Sequence, residues 1–244
     1  MNALLVRVGA DQSEGGGYFN GPVNSRTGEF VYVPIPETAD VQPRMAKPYS
    51  LVAPSLKPFQ VSLPGTLGDR IMHLDPDFGQ LTYGDQGQRA RQIQDKLTMG
   101  DLIVFYAALR DVQPSTRLVY AIIGLYVIEA IVSAASVPFI RWDENAHTRR
   151  VLTAGASDLV VRAQPGVSGR LERCLPIGSF RVPAADPYKR PCYRVEPGVL
   201  AAWGGLSVSD GFLQRSARLP QFLDASKFYA WFLDQEPSFI PANN

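Results

Sequence analysis

Apolar residues occur along this chain in continuous runs more often than at helical spacing. The opening "ALLVRV" (residues 3–8) predicts a strand that runs into a Gly-rich loop, "GADQSEGGG". "EFVYVPIP" (29–36), after a turn at "SRTG", predicts a second strand. "LIVFYAAL" (102–109) and "LVYAIIGLYVIEAIV" (118–132) are dense in Val, Ile and Tyr, which suit a pleated surface, and predict two buried strands. Helical spacing is clearest in "QGQRARQIQDKL" (86–97), where Ile93 and Leu97 stand four apart among polar residues. "MGD" ends that helix. "DASKFYAWFLDQ" (224–235) predicts a terminal helix capped by Asp224 or Ser226, and "WDENAHTRRVL" (142–152) a helix with Asp143 or Asn145 near its start. "DLVVRA" and "GFLQRS" predict short strands. Prolines at 43, 48 and 54 leave residues 38–57 irregular. No repeat, linker or shift of composition divides the chain. The pattern gives one α+β domain over residues 1–244, rich in strands.

Composition narrows this picture. With 20 Pro and 21 Gly among 244 residues, turns should be frequent, and a 45% hydrophobic fraction is ample for a core. Residues 118–140 resemble a membrane span in hydropathy, yet Glu129 near the middle and the β-branched content favour a buried strand followed by a turn. The apolar run at the N-terminus is too short for a signal peptide. Cys174 and Cys192 form no CxxC and suggest no disulfide framework, so the expected compartment is a reducing cytoplasm, with no membrane partner. A net charge of +1 carries no global signature of nucleic-acid binding. The basic residues are mostly Arg, which suits bidentate contacts to phosphate, but they are dispersed. Composition permits a nucleic-acid partner without indicating one.

Two segments concentrate candidate chemistry. "RVGADQSEGGG" (7–17) can present backbone N–H groups to an anion, but its glycines match neither GxGxxG nor a Walker motif. Asp11 is either a ligand-binding carboxylate or a turn former. "HLDPDFGQLTYGD" (73–85) holds one of the chain's two histidines. Pro76 favours an extended Asp75, and an extended 71–75 points His73 and Asp75 to one face, where an imidazole beside a carboxylate suits acid–base chemistry or substrate binding. Asp77 joins them only if the chain turns suitably after Pro76. A hydrogen-bonded structural turn is the competing reading. A metal on His73, Asp75 and Asp77 lacks a recognised spacing, and no metal site is assigned. Asp85 fits an N-cap. Trp203, beside two glycines, suits the core better than a base-stacking platform. Arg218 meets an anion or lies solvated. There is no Gx[ST]xG or HExxH.

Two resemblances add to this reading. The helix, "GD" and two strands, the second carrying Gly124 to Val127, resemble PUA-like modules such as EVE and ASCH; that likeness implies a small barrel with a pocket for a modified base or RNA, and a non-catalytic binding role. Taken in order, "RVGADQSEGG", "PIPE" (34–37), "HLDPDF", "GDLIVFYAALR" and "RLPQFLD" resemble the third type of nucleotide modification associated domain, with Pro220 departing from a usual Gly. In the first segment the family's basic residue, Gly, Asp, Ser and paired Gly fall on Arg7, Gly9, Asp11, Ser13, Gly15 and Gly16. This second resemblance implies a part in modifying a nucleotide base in DNA, with a nucleic acid or nucleotide as partner and other modification enzymes as further partners. The polar positions shared with the reading from residues are Asp11, His73, Asp75 and Asp77, expected as catalytic groups. Arg7, Ser13, Gly15, Gly16 and Arg218 are expected to bind. No cofactor is implied, and whether the chain is an enzyme stays open.

Overall fold

The computed structural model describes residues 1–11, 18–113, 118–182, 190–213 and 216–244. In chain order its strands are β1 (Ala3–Arg7), β2 (Pro22–Val23), β3 (Ile35–Pro36), β4 (Met72–His73), β5 (Thr82–Asp85) and β6 (Leu102–Asp111). They continue with β7 (Leu118–Ser133), β8 (Leu159–Ala163), β9 (Gly169–Pro176), β10 (Gly178–Arg181), β11 (Cys192–Val195) and β12 (Phe239–Ile240). Eight of them form one mixed sheet with the central order β1-β6-β7-β8-β5; β2 also pairs with β6, β9 with β7, and β12 with β9. β1 and β2 run parallel to β6, and the other pairs in this sheet are antiparallel. Among the described residues the sheet does not close into a barrel, which is where the small-barrel expectation departs from the observed α+β domain.

The apolar runs are continuous because the sheet is covered on both faces. Leu4, Val6, Ile103, Phe105, Ala107 and Leu109 enter one core, whereas Ala3, Leu5, Leu102, Val104, Tyr106 and Ala108 enter another. In β7 the parity changes partway: Ala121 and Ile123 share a core with Tyr126 and Ile128. The register slips there, with Tyr106 opposite Ile122 and Phe105 opposite Gly124, so Ile123 is an extra residue that swaps the faces. The first half of β7 pairs with β9 and its last residues with β8. Glu129 is exposed at the second irregularity of that strand, and no helix is long and apolar enough to cross a membrane. Trp203, Phe228 and Phe232 seal the second core, the latter two from the helix Ala225–Asp234, whose first turn is capped by the Asp224 side chain. Cys174 and Cys192 are free thiols.

Four local expectations are revised. In "EFVYVPIP" only Ile35–Pro36 is a strand, because residues 31–33 bond to Pro22, Asn244 and Ala10 instead of to one neighbouring ladder. "WDENAHTRRVL" is broken at Asn145, which is extended (φ −152°, ψ 157°) between a 3₁₀ turn at Phe139–Glu144 and a single α-turn at Ala146–Arg149. "TYGD" is strand β5, so the N-cap of the helix Gly87–Lys96 is Gln86, not Asp85. "GFLQRS" begins in a 3₁₀ turn at Ser209–Gly211, and residues 214–215 lie outside the described residues.

Candidate functional site

"HLDPDFGQLTYGD" folds as two short strands joined by a cross-bonded turn. β4 pairs with β3, placing His73 opposite Ile35. A cis Asp75–Pro76 bond turns the chain, and Asp77 and Thr82 then exchange backbone hydrogen bonds of 2.8 and 3.1 Å. β5 follows, paired with β8. Phe78 at the turn inserts against Gly124, edge-on to Tyr32, Phe105 and Tyr126. This aromatic plug fixes the hairpin to the sheet, so the residues just before it are held on a rigid support.

His73 and Asp75 do share one face, and His147 meets them there. Asp75 Oδ2 lies 3.9 Å from His73 Nε2 and 3.8 Å from His147 Nε2. The two rings cross edge-to-face with centroids 4.9 Å apart. Asp75 Oδ1 accepts hydrogen bonds from the Gly84 N–H (2.8 Å) and Asn145 Nδ2 (2.9 Å), which leaves Oδ2 turned to the histidines. Asn145 links the parts. Its Oδ1 accepts from the His147 N–H, capping the turn that carries His147, and its Nδ2 steadies Asp75. Gly84 is needed for this approach: a Cβ there would stand 2.3 Å from His147 Cδ2 and 2.5 Å from Asn145 Oδ1.

Each histidine is gripped from behind by a carboxylate. His73 Nδ1 lies 2.6 Å from Glu37 Oε2, and His147 Nδ1 lies 2.6 Å from Asp158 Oδ1. A carboxylate only accepts, so each Nδ1 carries the hydrogen, and in the neutral ring Nε2 is the nitrogen left with a lone pair. Arg150 braces both carboxylates, at 2.9 Å from Glu37 Oε1 and 3.5 Å from Asp158 Oδ1. Burial works to raise Glu37, but hydrogen bonds from His73 and Arg150 outweigh it and hold its pKa well below the carboxylate range. Asp158 is lowered in the same way, with His147 and Arg150 overcoming burial. Burial lowers His73 to about 4 against the pull of Glu37, so its ring is neutral at pH 7. Burial raises Asp75 to about 7, over the opposing His147 and the hydrogen bonds from Gly84 and Asn145.

His73, Asp75, His147 and Arg150 line a cleft of about 550 Å³, with Glu37 and Asp158 behind them. Its walls include Arg7, Arg89 and Arg150, Tyr83 and Asp85, and Gly9 at the start of the glycine loop. Arg89 is anchored by Asp85 and by the Tyr83 hydroxyl. A second cavity of about 590 Å³ beside Phe30, Arg170 and Arg173 is as large. It holds no comparable convergence: among the described residues the one cluster of His and carboxylate donors close enough to share an ion is His73, Asp75 and His147.

Arg7 thus reaches the cleft, but Asp11 does not line it; Asp11 Oδ2 instead binds Arg7 Nε at 2.9 Å and the Ala108 N–H at 3.0 Å. Asp77 is turned away: its Oδ2 meets Arg149 at 2.6 Å and its Oδ1 accepts from Asn243. Arg218 is exposed and is not among the lining residues, although Ser216 and Ala217 are. Ser13, Gly15 and Gly16 lie outside the described residues. Sequence reasoning missed His147, Glu37 and Asp158. His147 had one usable signal, since it is the chain's only other histidine. Glu37 ends the "PIPE" segment, and Asp158 carried no local mark.

Comparison with curated proteins and with solved structures finds no match. A family model described as nucleotide modification associated domain 3 matches residues 2–198. That span holds every residue of the His73, Asp75 and His147 cluster and both bracing carboxylates, and on this match the chain belongs to the nucleotide modification associated domain 3 family.

Proposed function

We propose that this chain takes part in modifying a nucleotide base in DNA, and that the nucleotide enters the cleft in front of His73, Asp75 and His147. The observation that carries the reading is the convergence of both histidines on Asp75, each with its outer nitrogen held by a carboxylate, in a member of a nucleotide-modification family. Such locking is what acid–base or electrophile-holding chemistry requires, because it fixes both the tautomer and the direction of the lone pair. A volume of about 550 Å³ is in the range of small-ligand sites, and it suits one nucleotide unit, either free or turned out of a strand. The guanidiniums of Arg7, Arg89 and Arg150 offer planar donors to phosphate or to base oxygens. Asp11 acts on this cleft by orienting Arg7, and Asp77 by anchoring the hairpin through Arg149.

The test pairs saturable binding of nucleotides and oligonucleotides with mass analysis of the recovered nucleosides. Expected are binding and a mass change that His73→Ala and Asp75→Ala remove while the circular dichroism spectrum is unchanged. Binding without any mass change would favour a recognition module for modified bases. Absence of saturable binding would contradict both.

A further inference from the structure

We propose that His73, Asp75 and His147 form a divalent metal site, taking a first-row transition ion of the zinc, iron(II) or manganese(II) class through His73 Nε2, Asp75 Oδ2 and His147 Nε2. Three observations point to it. First, the donors converge without bonding to one another. The separations of 3.9 and 3.8 Å are too long for hydrogen bonds. With both rings neutral and Asp75 ionised, two nitrogen lone pairs and a carboxylate oxygen face a common centre, an arrangement that a cation or a proton between them relieves. A tetrahedral ion with bonds of about 2.0–2.1 Å holds its donors roughly 3.3 Å apart; each histidine stands about half an ångström beyond that from Asp75, and all three donors lie within 4.8 Å of one another.

Second, the outer partners are those that ligating histidines take. Nδ1–H donated to a carboxylate fixes the ring and makes Nε2 a better ligand, and here both histidines have that partner at 2.6 Å. Third, the charges match. Arg89 is paired with Asp85 and Arg7 with Asp11, so with Asp75 ionised, as a ligand must be, Asp75, Glu37 and Asp158 stand against Arg150 and leave two negative charges for a divalent ion to balance. Two histidines and one carboxylate suit borderline transition ions better than magnesium or calcium, which prefer all-oxygen shells.

The three donors line the cleft, so an ion they hold has its remaining positions on the cleft side, open to water, phosphate or a base oxygen. The part the ion plays in the reaction rests on the nucleotide reading of the cleft; its binding does not. The experiment uses the full chain, stripped with chelator and titrated calorimetrically with Zn²⁺ and with Mn²⁺, with Co²⁺ as a spectroscopic probe. Expected are one ion per chain with micromolar or tighter affinity and visible Co²⁺ bands. Asp75→Asn and His147→Ala should weaken binding by more than about 100-fold, and Glu37→Gln by about 10–100-fold, the range for an outer partner. Asp75→Asn is near-isosteric and keeps the comparison valid if His147→Ala does not fold. No saturable binding by the parent chain, or equal binding by Asp75→Asn and Glu37→Gln, overturns the proposal. Failure to bind metal with nucleotide binding intact overturns the ion alone, whereas metal binding with no nucleotide binding overturns the reading of the cleft.

Discussion

At Gly84 a missing side chain makes the site. Gly84→Ala would drive a methyl into His147 and Asn145, and we expect it to destabilise the chain by about 1–3 kcal/mol, the usual cost of overpacking. Urea unfolding measures this, and a neutral effect would show that His147 does not pack as described. His73 and Asp75 also give the chelator-treated protein opposed pH dependences. His73, lowered to about 4, stays unprotonated at pH 5 when folded, so its contribution is complete above about 6.5 and is lost as pH falls towards 4. Asp75, raised to about 7, keeps its proton at pH 5 when folded, so its contribution is complete below about 4 and is lost as pH rises through 7. The two slopes oppose each other between these limits. Asp75→Asn removes one of them, and its melting temperature should fall more steeply from pH 7 to pH 5 than that of the parent chain. Parallel profiles would contradict the assignment.

Among the elements, the hairpin from β4 to β5 and the short turn Ala146–Arg149 depend on each other. Asn145 caps the turn and holds Asp75, so its two roles can be separated. Asp is as good an N-cap as Asn, yet Asn145→Asp loses the Nδ2 donor and sets one buried carboxylate against another. We expect a loss of about 2–4 kcal/mol at pH 8, against about 1 kcal/mol for losing a cap alone. A smaller loss in urea unfolding would mean that Asp75 is positioned by Gly84 without help. At the far end of the hairpin, Asp77 and Arg149 are both buried. Asp77→Ala leaves Arg149 paired only with the half-exposed Asp143 and should cost about 1–3 kcal/mol, the cost of a buried charged donor losing one partner, where a residue acting only in chemistry would cost little. Gly124 belongs to the same scale. In the sequence it stood out only as the start of the run resembling PUA-like modules, but it is the slot that receives Phe78, with a Cβ there standing 2.4 Å from the ring.

Over the whole molecule, legibility followed the distance between partners. β1, β6 and β7 announced themselves because a sheet buried on both faces demands unbroken apolar runs, and the two longer helices because their spacing is local. His73 and Asp75 are two residues apart, so strand periodicity alone set them on one face. Glu37, His147 and Asp158 are joined to them only by the path of the chain, and no local pattern encodes that path. The barrel expectation failed for a related reason: a helix, a turn and two strands specify a corner of a sheet and leave its closure undetermined. The most direct test of the cleft as the seat of nucleotide chemistry is mass analysis of nucleosides from DNA incubated with the parent chain and with His73→Ala and Asp75→Ala. A mass change made by the parent and lost in both folded variants is the predicted result. An equal mass change in all three would place the chemistry elsewhere.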